Sequence, residues 1–236
     1  MENNQEVLKY TYTFIFNNGT EKKFEILLDK NTLDLISSNQ TEVADWAKRE
    51  NFQCANDLCN SKFEKYCPIA VNIDNIIKFF SDINSYETVK IYAEVDERTY
   101  FKETSVQKGV SSLIGIIMPV SGCPVLSKLK PLVRFHLPFA SIEETEFRVI
   151  SMYLFVQYMI MQRGGTPDWE MKKLKQIYED ILKINRVLSE RVANLENKDA
   201  SINAIVALDN FAQFISSSLE YNDLSDFENI FKEWLE

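Results

Sequence analysis

An alternating apolar pattern near the N-terminus constrains the fold more than any other feature. In VLKYTYTFIFNNGTEKKFEILLD, residues 7–29, every second side chain of the first run is aliphatic or aromatic. The run ends at Asn17-Asn18-Gly19-Thr20, after which a second alternating run begins. A period of two is the signature of a β-strand with one buried face, and a short turn with glycine lets the chain reverse. The pattern predicts a β-hairpin over residues 7–29.

A second pair of strands is predicted at TVKIYAEVD (88–96) and RTYFKETS (98–105), joined at Asp96-Glu97. Between the hairpins, helices are predicted near 41–50 and at IAVNIDNIIKFFSDI (69–83), where apolar residues recur at helical spacing. From about residue 105 onward the strand signals disappear. The predicted class is therefore α+β, a small antiparallel sheet of two β-hairpins packed with a mainly helical C-terminal portion.

The predicted organisation has two portions. Residues 1–104 hold the two hairpins and a cysteine-rich loop, and residues 105–236 hold a helical bundle portion. No low-complexity linker separates them, so one continuous domain is the alternative.

The helical portion opens with a capping signal. Ser141-Ile142-Glu143-Glu144 fits a capping box, and the apolar run VISMYLFVQYMIM (149–161) follows it. That run is shorter than the roughly 20 residues that span a bilayer, so it predicts a central buried helix. Gly164-Gly165 ends this helix, and Thr166-Pro167-Asp168 is predicted to start another over about 167–195.

A heptad-like seam marks the helix at 167–195. Its apolar positions are Leu174, Ile177, Ile181, Ile184, Leu188 and Leu195. We interpret the seam as one side of a helical hairpin with the 142–162 helix, and homodimerisation through it as the alternative.

Two more helices are predicted at about 200–219 and 224–235. The last carries an apolar stripe formed by Phe227, Ile230, Phe231, Trp234 and Leu235. Such a stripe packs on its own core or, less often, binds a partner.

Charge excludes two classes of partner. The chain has 26 basic and 35 acidic residues, a net charge of −9, and residues 196–236 hold nine acidic residues against two lysines. No basic patch is present, so neither nucleic acid nor an anionic membrane is an expected partner. The partners that we expect are therefore another protein or a second copy of the chain.

A secretory signal has a basic segment that leads into an apolar one. The N-terminal stretch MENNQEVLKYTYTFIF does not have this pattern. We therefore expect a cytoplasmic protein with reduced cysteines.

Three of the four cysteines lie within CANDLCNSKFEKYCP, residues 54–68. Cys54, Cys59 and Cys67 could join Cys123 as four thiolate ligands, a set that selects zinc or an iron–sulfur cluster. Cys67 and Cys123 each precede a proline and an apolar run, so both are predicted at helix N-caps, where a thiolate is favoured. The preferred hypothesis is a metal- or cluster-binding regulatory or adaptor protein.

Two alternatives remain open. A cysteine-dependent enzyme would use Cys123 as nucleophile and His136, the only histidine, as base. A metal-free protein-interaction module would use the acidic end or the stripe at 227–235, with the cysteines as small buried hydrophobic residues.

The segments CPIAVNI, SGCPVL and RFHLPFA resemble those of a family of uncharacterised bacterial proteins, over roughly residues 50–180. In that family the first cysteines form a C-x2-C-Pro pair, whereas four residues separate Cys54 from Cys59 here. The resemblance implies a bacterial cytoplasmic setting and no particular chemistry.

Overall fold

The computed structural model describes residues 6–36, 43–52, 65–95, 97–195, 197–221 and 224–236. Its strands are β1 (Val7–Phe16), β2 (Glu21–Asp29), β3 (Thr88–Val95) and β4 (Arg98–Ser105). Its helices are α1 (Pro68–Phe80), α2 (Val106–Val120), α3 (Lys130–Arg134), α4 (Ile142–Gln162), α5 (Lys172–Val192), α6 (Ala200–Tyr221), α7 (Ser225–Glu228) and α8 (Lys232–Leu235). Single 3-10 turns lie at Asp45–Ala47, Arg49–Asn51 and Leu126–Leu129.

The four strands form one antiparallel sheet in the order β2-β1-β3-β4. Both predicted hairpins and the α+β class are confirmed. Gly19 adopts a φ of 84° in the turn between β1 and β2, a conformation that glycine reaches without strain. β1 is a central strand, so its alternating pattern sets which face of the sheet is buried.

One face of the sheet packs against helices. The even-numbered side chains of β1 are buried on it: Leu8, Tyr10, Tyr12, Phe14 and Phe16. Phe80 of α1 meets Phe14 edge to face, with ring centroids 5.1 Å apart. β4 runs directly into α2 at Ser105, which brings α2 onto the same face. The opposite face is more polar and carries the ion pair Lys9–Glu25, with Nζ and Oε1 2.6 Å apart.

α6 forms the centre of the helical layer, packing along α2 on one side and α5 on the other. The predicted seam on α5 is buried at Leu174, Ile181, Ile184 and Leu188. Its partner is α6, so the predicted hairpin between α5 and the 142–162 helix is wrong. α6 buries small alanines as well as isoleucines, and small side chains let two helices approach closely.

α4 is not a central buried helix, which corrects the prediction from its apolar run. Its outer side exposes large side chains, among them Phe155 at 63% of its surface. The buried side is narrow and consists of Glu146, Val149, Ile150, Tyr153 and Gln157. In a continuous apolar run the spacing of the residues does not show whether the helix is buried on one side or on all sides. The capping box between Ser141 and Glu144 is confirmed.

Three predicted helix boundaries differ from the structure. α5 begins at Lys172, after the N-cap residue Met171, and the carboxylate of Asp168 caps the first turn by accepting hydrogen bonds from the amides of Lys172 and Lys173 at 3.3 and 2.8 Å. The helix predicted at 224–235 is divided into α7 and α8. The segment predicted as a helix near 41–50 forms 3-10 turns in its described part.

Buried residues from the sheet, α1, α2, α5 and α6 belong to one continuous hydrophobic cluster. Among the helices in the described parts of the chain, none combines the length and apolar character that crossing a bilayer requires.

Candidate functional site

A cavity of about 380 Å³ lies between α2, the segment 126–140 and the pair α5–α6. Most of its wall is apolar, and the larger side chains that form it include Met118, Leu126, Leu129, Leu132, Phe211 and Ile215. Its volume falls within the range of small-molecule pockets, which starts at about 300 Å³. The cavity is therefore large enough for an organic ligand.

Small residues on the facing helices leave this space open. Gly115 of α2 lines the cavity, and a Cβ at this position would meet only Leu208 Cδ2, at 3.5 Å. Ala207 and Ala212 of α6 line it from the other side. Since larger side chains at these positions would occupy part of the space, the local sequence maintains the cavity.

A hydrogen-bond network connects the cavity wall to the sheet. The hydroxyl of Tyr12 lies 2.6 Å from His136 Nε2 and 2.7 Å from Ser112 Oγ. Ser112 Oγ also accepts the amide hydrogen of Phe139 at 3.2 Å. Both Ser112 and His136 line the cavity. The network thus holds the 126–140 segment and α2 in fixed positions relative to β1.

His136 is neutral in this network. Burial, and next the charge of Arg148, lower the pKa of His136 to about 3. Burial also raises the pKa of Tyr12 above its ordinary value. A general base works best with a pKa near the working pH, so His136 is poorly matched to proton abstraction at neutral pH.

Two cations, Arg148 and Lys108, line the cavity, and the carboxylate that acts on both of them, Glu144, lies outside the cavity wall. Arg148 donates from Nη2 to the backbone carbonyls of Leu132 and Phe135, at 2.8 and 2.7 Å. Within the described residues, its Nε and Nη1 hydrogens have no acceptor and the guanidinium has no ion pair. Lys108 also lines the cavity, and burial lowers the pKa of both cations. No aspartate or glutamate is among the lining residues that the structure describes.

Two buried polar side chains add unused hydrogen-bonding groups. Tyr178 and Asn185 of α5 line the cavity and expose 4% and 2% of their surface. In the part of the chain that the structure describes, neither the phenol nor the amide has a hydrogen-bond partner. Buried polar groups are nearly always hydrogen-bonded, so these two are available to a ligand. Burial raises the pKa of Tyr178, which keeps its hydroxyl hydrogen available for donation.

The predicted metal ligands are only partly described. Cys54 and Cys59 lie outside the described residues. Cys67 is buried and occupies the N-cap of α1, with proline next to it, as predicted. Cys123 is buried too, but a turn follows it and the N-cap of the next 3-10 helix is Val125, so its predicted capping position is wrong.

The four-cysteine site and the pair Cys123–His136 both stay predictions. Across the described residues, no group of three or more histidine, cysteine, aspartate or glutamate side chains is placed to hold a metal. Cys123 does not line the cavity that His136 lines.

Of the residues that line the cavity, only His136 was predicted from the sequence to be a functional candidate. Arg148, which directly precedes the apolar run 149–161, was not predicted to have a function. Its position there was a usable signal, because a lone arginine on a mostly apolar helix must reach either water or a buried acceptor.

Comparison with known proteins gives a family without an activity. A family model described as a domain of unknown function (DUF6901) matches residues 10–232. This agrees with the expectation of an uncharacterised family, and the match covers nearly the whole chain. No curated protein and no solved structure shows a significant match.

Proposed function

The chain belongs to the DUF6901 family of domains of unknown function, and we propose from its own site that it binds a small amphipathic anion in the cavity. The ligand class is a molecule with an apolar body and a carboxylate-type head group. The observation that carries the proposal is charge: Arg148 and Lys108 line the cavity and no described acid does, in a chain whose net charge is −9.

The head group would bind at Arg148. Two hydrogens of Nη2 fix the guanidinium on backbone carbonyls, which leaves the Nε and Nη1 hydrogens for a ligand oxygen. Hydrogen bonds from an ionised donor to an ionised acceptor are about twice as strong as neutral ones. Tyr178 and Asn185 supply further polar groups at the same cavity.

The apolar body would bind along the aliphatic and aromatic wall. Burial of apolar surface contributes about 25 cal/mol per Å², so about 200 Å² contributes about 5 kcal/mol before the cost of association is subtracted. Specificity for the anion then depends on the head group, because an alcohol of the same length buries the same chain.

Calorimetric titration with decanoate and with 1-decanol tests this function. We expect decanoate to bind at least tenfold more tightly than 1-decanol. Arg148→Gln removes the charge while keeping an amide donor, and should abolish that preference. Arg186→Gln, at an exposed arginine of α5 that does not line the cavity, is the matched control and should leave it unchanged. Equal affinity of the wild-type protein for both compounds would rule out the anion site.

Metal binding by Cys54, Cys59, Cys67 and Cys123 is the second candidate function. Support comes from Cys67 at the N-cap of α1, where the amides and the helix dipole favour a thiolate. Such a site would make the protein a zinc- or cluster-dependent regulator or adaptor. Elemental analysis of anaerobically purified protein is expected to find about one zinc per chain, or iron with a brown absorption band. Metal-free protein argues against it.

A further inference from the structure

The outer face of α4 is an apolar surface that the ligand site does not use. We define this face by Phe155, Val156, Tyr158, Met159 and Met161, each of which exposes at least 39% of its surface. No charged residue occurs between Arg148 and Arg163, so the face is uncharged over its whole length. Exposed apolar patches larger than a few hundred Å² mark interaction sites.

The C-terminal segment packs on the N-terminal half of α4 and adds exposed apolar side chains. The rings of Phe227 and Phe231 pack on Phe147 of α4, with centroids 6.0 and 5.9 Å away. Beyond them, Trp234 exposes 88% of its surface and Leu235 exposes 69%. Tryptophan is among the residues that contribute most to protein interfaces.

We propose that the α4 outer face is the interface of a homodimer, with α4 of one copy antiparallel to α4 of a second copy. Charge at the two ends of the helix favours this occupant. Glu143 and Glu144 lie in the first turn, and Arg163 lies just after the last. A twofold axis would place the acidic end of each helix beside the basic end of the other, and each such contact would occur twice.

Two of these charges have no ion-pair partner within the chain as described. Neither Glu143 nor Arg163 forms a salt bridge or side-chain hydrogen bond with a described residue. Antiparallel helix dipoles add a small favourable contribution. An uncharged centre with oppositely charged ends is thus complementary to itself.

The size of the surface also fits a second copy. α4 has 21 residues and is about 30 Å long at 1.5 Å per residue. Interfaces of standard size bury about 800 Å² on each partner. Exposed apolar side chains occur near both ends of α4, at Ile142 and Phe147 as well as on the defined face, and Trp234 and Leu235 add further exposed apolar surface.

A membrane surface fits less well. Interfacial helices carry lysines and arginines beside their apolar face, and those bind anionic lipids. Here residues 196–236, which include the segment packed on α4, hold nine acids and two lysines. Anionic headgroups would be repelled.

Light scattering on the full chain after size-exclusion chromatography tests the proposal. We expect the wild-type protein at 50 μM to elute with twice the 27.5 kDa mass of one chain. Phe155→Glu should shift it to one chain's mass without changing its circular dichroism. Phe101→Glu, at an exposed phenylalanine of β4 on the open face of the sheet, is the matched control and should stay dimeric.

Arg163→Glu tests the antiparallel arrangement. It should raise the dimer dissociation constant at least threefold in 20 mM salt, and less in 500 mM salt, because exposed charges are screened. A monomeric wild-type protein, or a Phe155→Glu variant that remains dimeric, overturns the interface. An unchanged dissociation constant for Arg163→Glu overturns the antiparallel arrangement. Cosedimentation of a monomeric wild type with phosphatidylcholine–phosphatidylglycerol vesicles would assign the face to lipid and overturn the proposal.

Discussion

Tyr12 and His136 share a hydrogen bond of 2.6 Å between the phenol oxygen and Nε2, although 124 residues separate them in the chain. The contact joins the central strand of the sheet to the segment that forms one wall of the cavity. His136 is also the only histidine. Its protonation can therefore be followed without interference from another imidazole.

Stability is expected to fall as the pH falls from 7 to 5. The pKa of His136 is about 3 in the folded protein and about 6.5 in the unfolded chain, so the unfolded chain binds the extra proton between these values. Stability from the neutral imidazole is complete above pH 6.5 and is lost as the pH decreases towards 3. Linkage predicts a loss of about 2 kcal/mol between pH 7 and pH 5.

Urea denaturation across that range measures this loss. In His136→Gln the dependence between pH 7 and pH 5 should flatten, because no other side chain has an ordinary pKa near 6.5. A variant that keeps the wild-type slope would show that His136 is not its source.

Gly109→Ala should destabilise the fold. A Cβ at Gly109 would lie 2.8 Å from Phe14 Cε1 and would also overlap Ile91. The alanine gains about 1 kcal/mol of helix propensity, but crowding in a tightly packed core costs about 1–3 kcal/mol. Chemical denaturation should show a lower free energy of unfolding. A higher free energy of unfolding would contradict this prediction, because it would mean that α2 and the sheet accommodate the added methyl group without loss of stability.

The sequence predicted the sheet well because its information is local. Tyr10, Tyr12, Phe14 and Phe16 alternate along one strand, and Gly19 marks the turn, so neighbouring residues suffice to define the hairpin. The capping box at Ser141 is local for the same reason.

The sequence did not predict how the helices pair. The seam at Leu174 and Ile181 showed correctly that α5 has one buried side, but the partner depends on side-chain size on a helix farther along the chain. The cavity is harder to predict than the helix pairing. Its wall brings together Gly115, Arg148 and Tyr178, which lie on three different helices and become neighbours only when those helices pack. A local sequence pattern does not indicate whether a cavity forms between packed helices.

Asp168→Ala should weaken the junction between α4 and α5. The carboxylate accepts hydrogen bonds from the amide of Lys173 at 2.8 Å and from the hydroxyl of Tyr153 at 2.7 Å. Loss of a helix cap costs about 1 kcal/mol, and the hydroxyl of Tyr153 loses its acceptor as well. We expect a decrease of about 1–2 kcal/mol in the free energy of unfolding.

Glu170→Ala is the control for Asp168→Ala. Glu170 is exposed and pairs with Lys172 on the surface, where ion pairs contribute less than about 1 kcal/mol. Equal effects of the two substitutions would argue against a special role for the cap.

Gly115→Leu should abolish ligand binding while leaving the fold intact. Gly115 lines the cavity, and the nearest atom to a Cβ there is Leu208 Cδ2 at 3.5 Å, an ordinary contact distance. A leucine side chain would therefore extend into the space proposed for the ligand's apolar body. Leucine also has a higher helix propensity than glycine, so the midpoint of thermal unfolding should not decrease.

Gly115→Ala is the matched control, because it also raises the helix propensity but adds only one methyl group. It should bind decanoate within about threefold of the wild-type affinity and should be up to about 1 kcal/mol more stable. Calorimetric titration of both variants with decanoate separates the two effects. If Gly115→Leu bound decanoate as tightly as Gly115→Ala, the ligand would have to lie elsewhere than in this cavity.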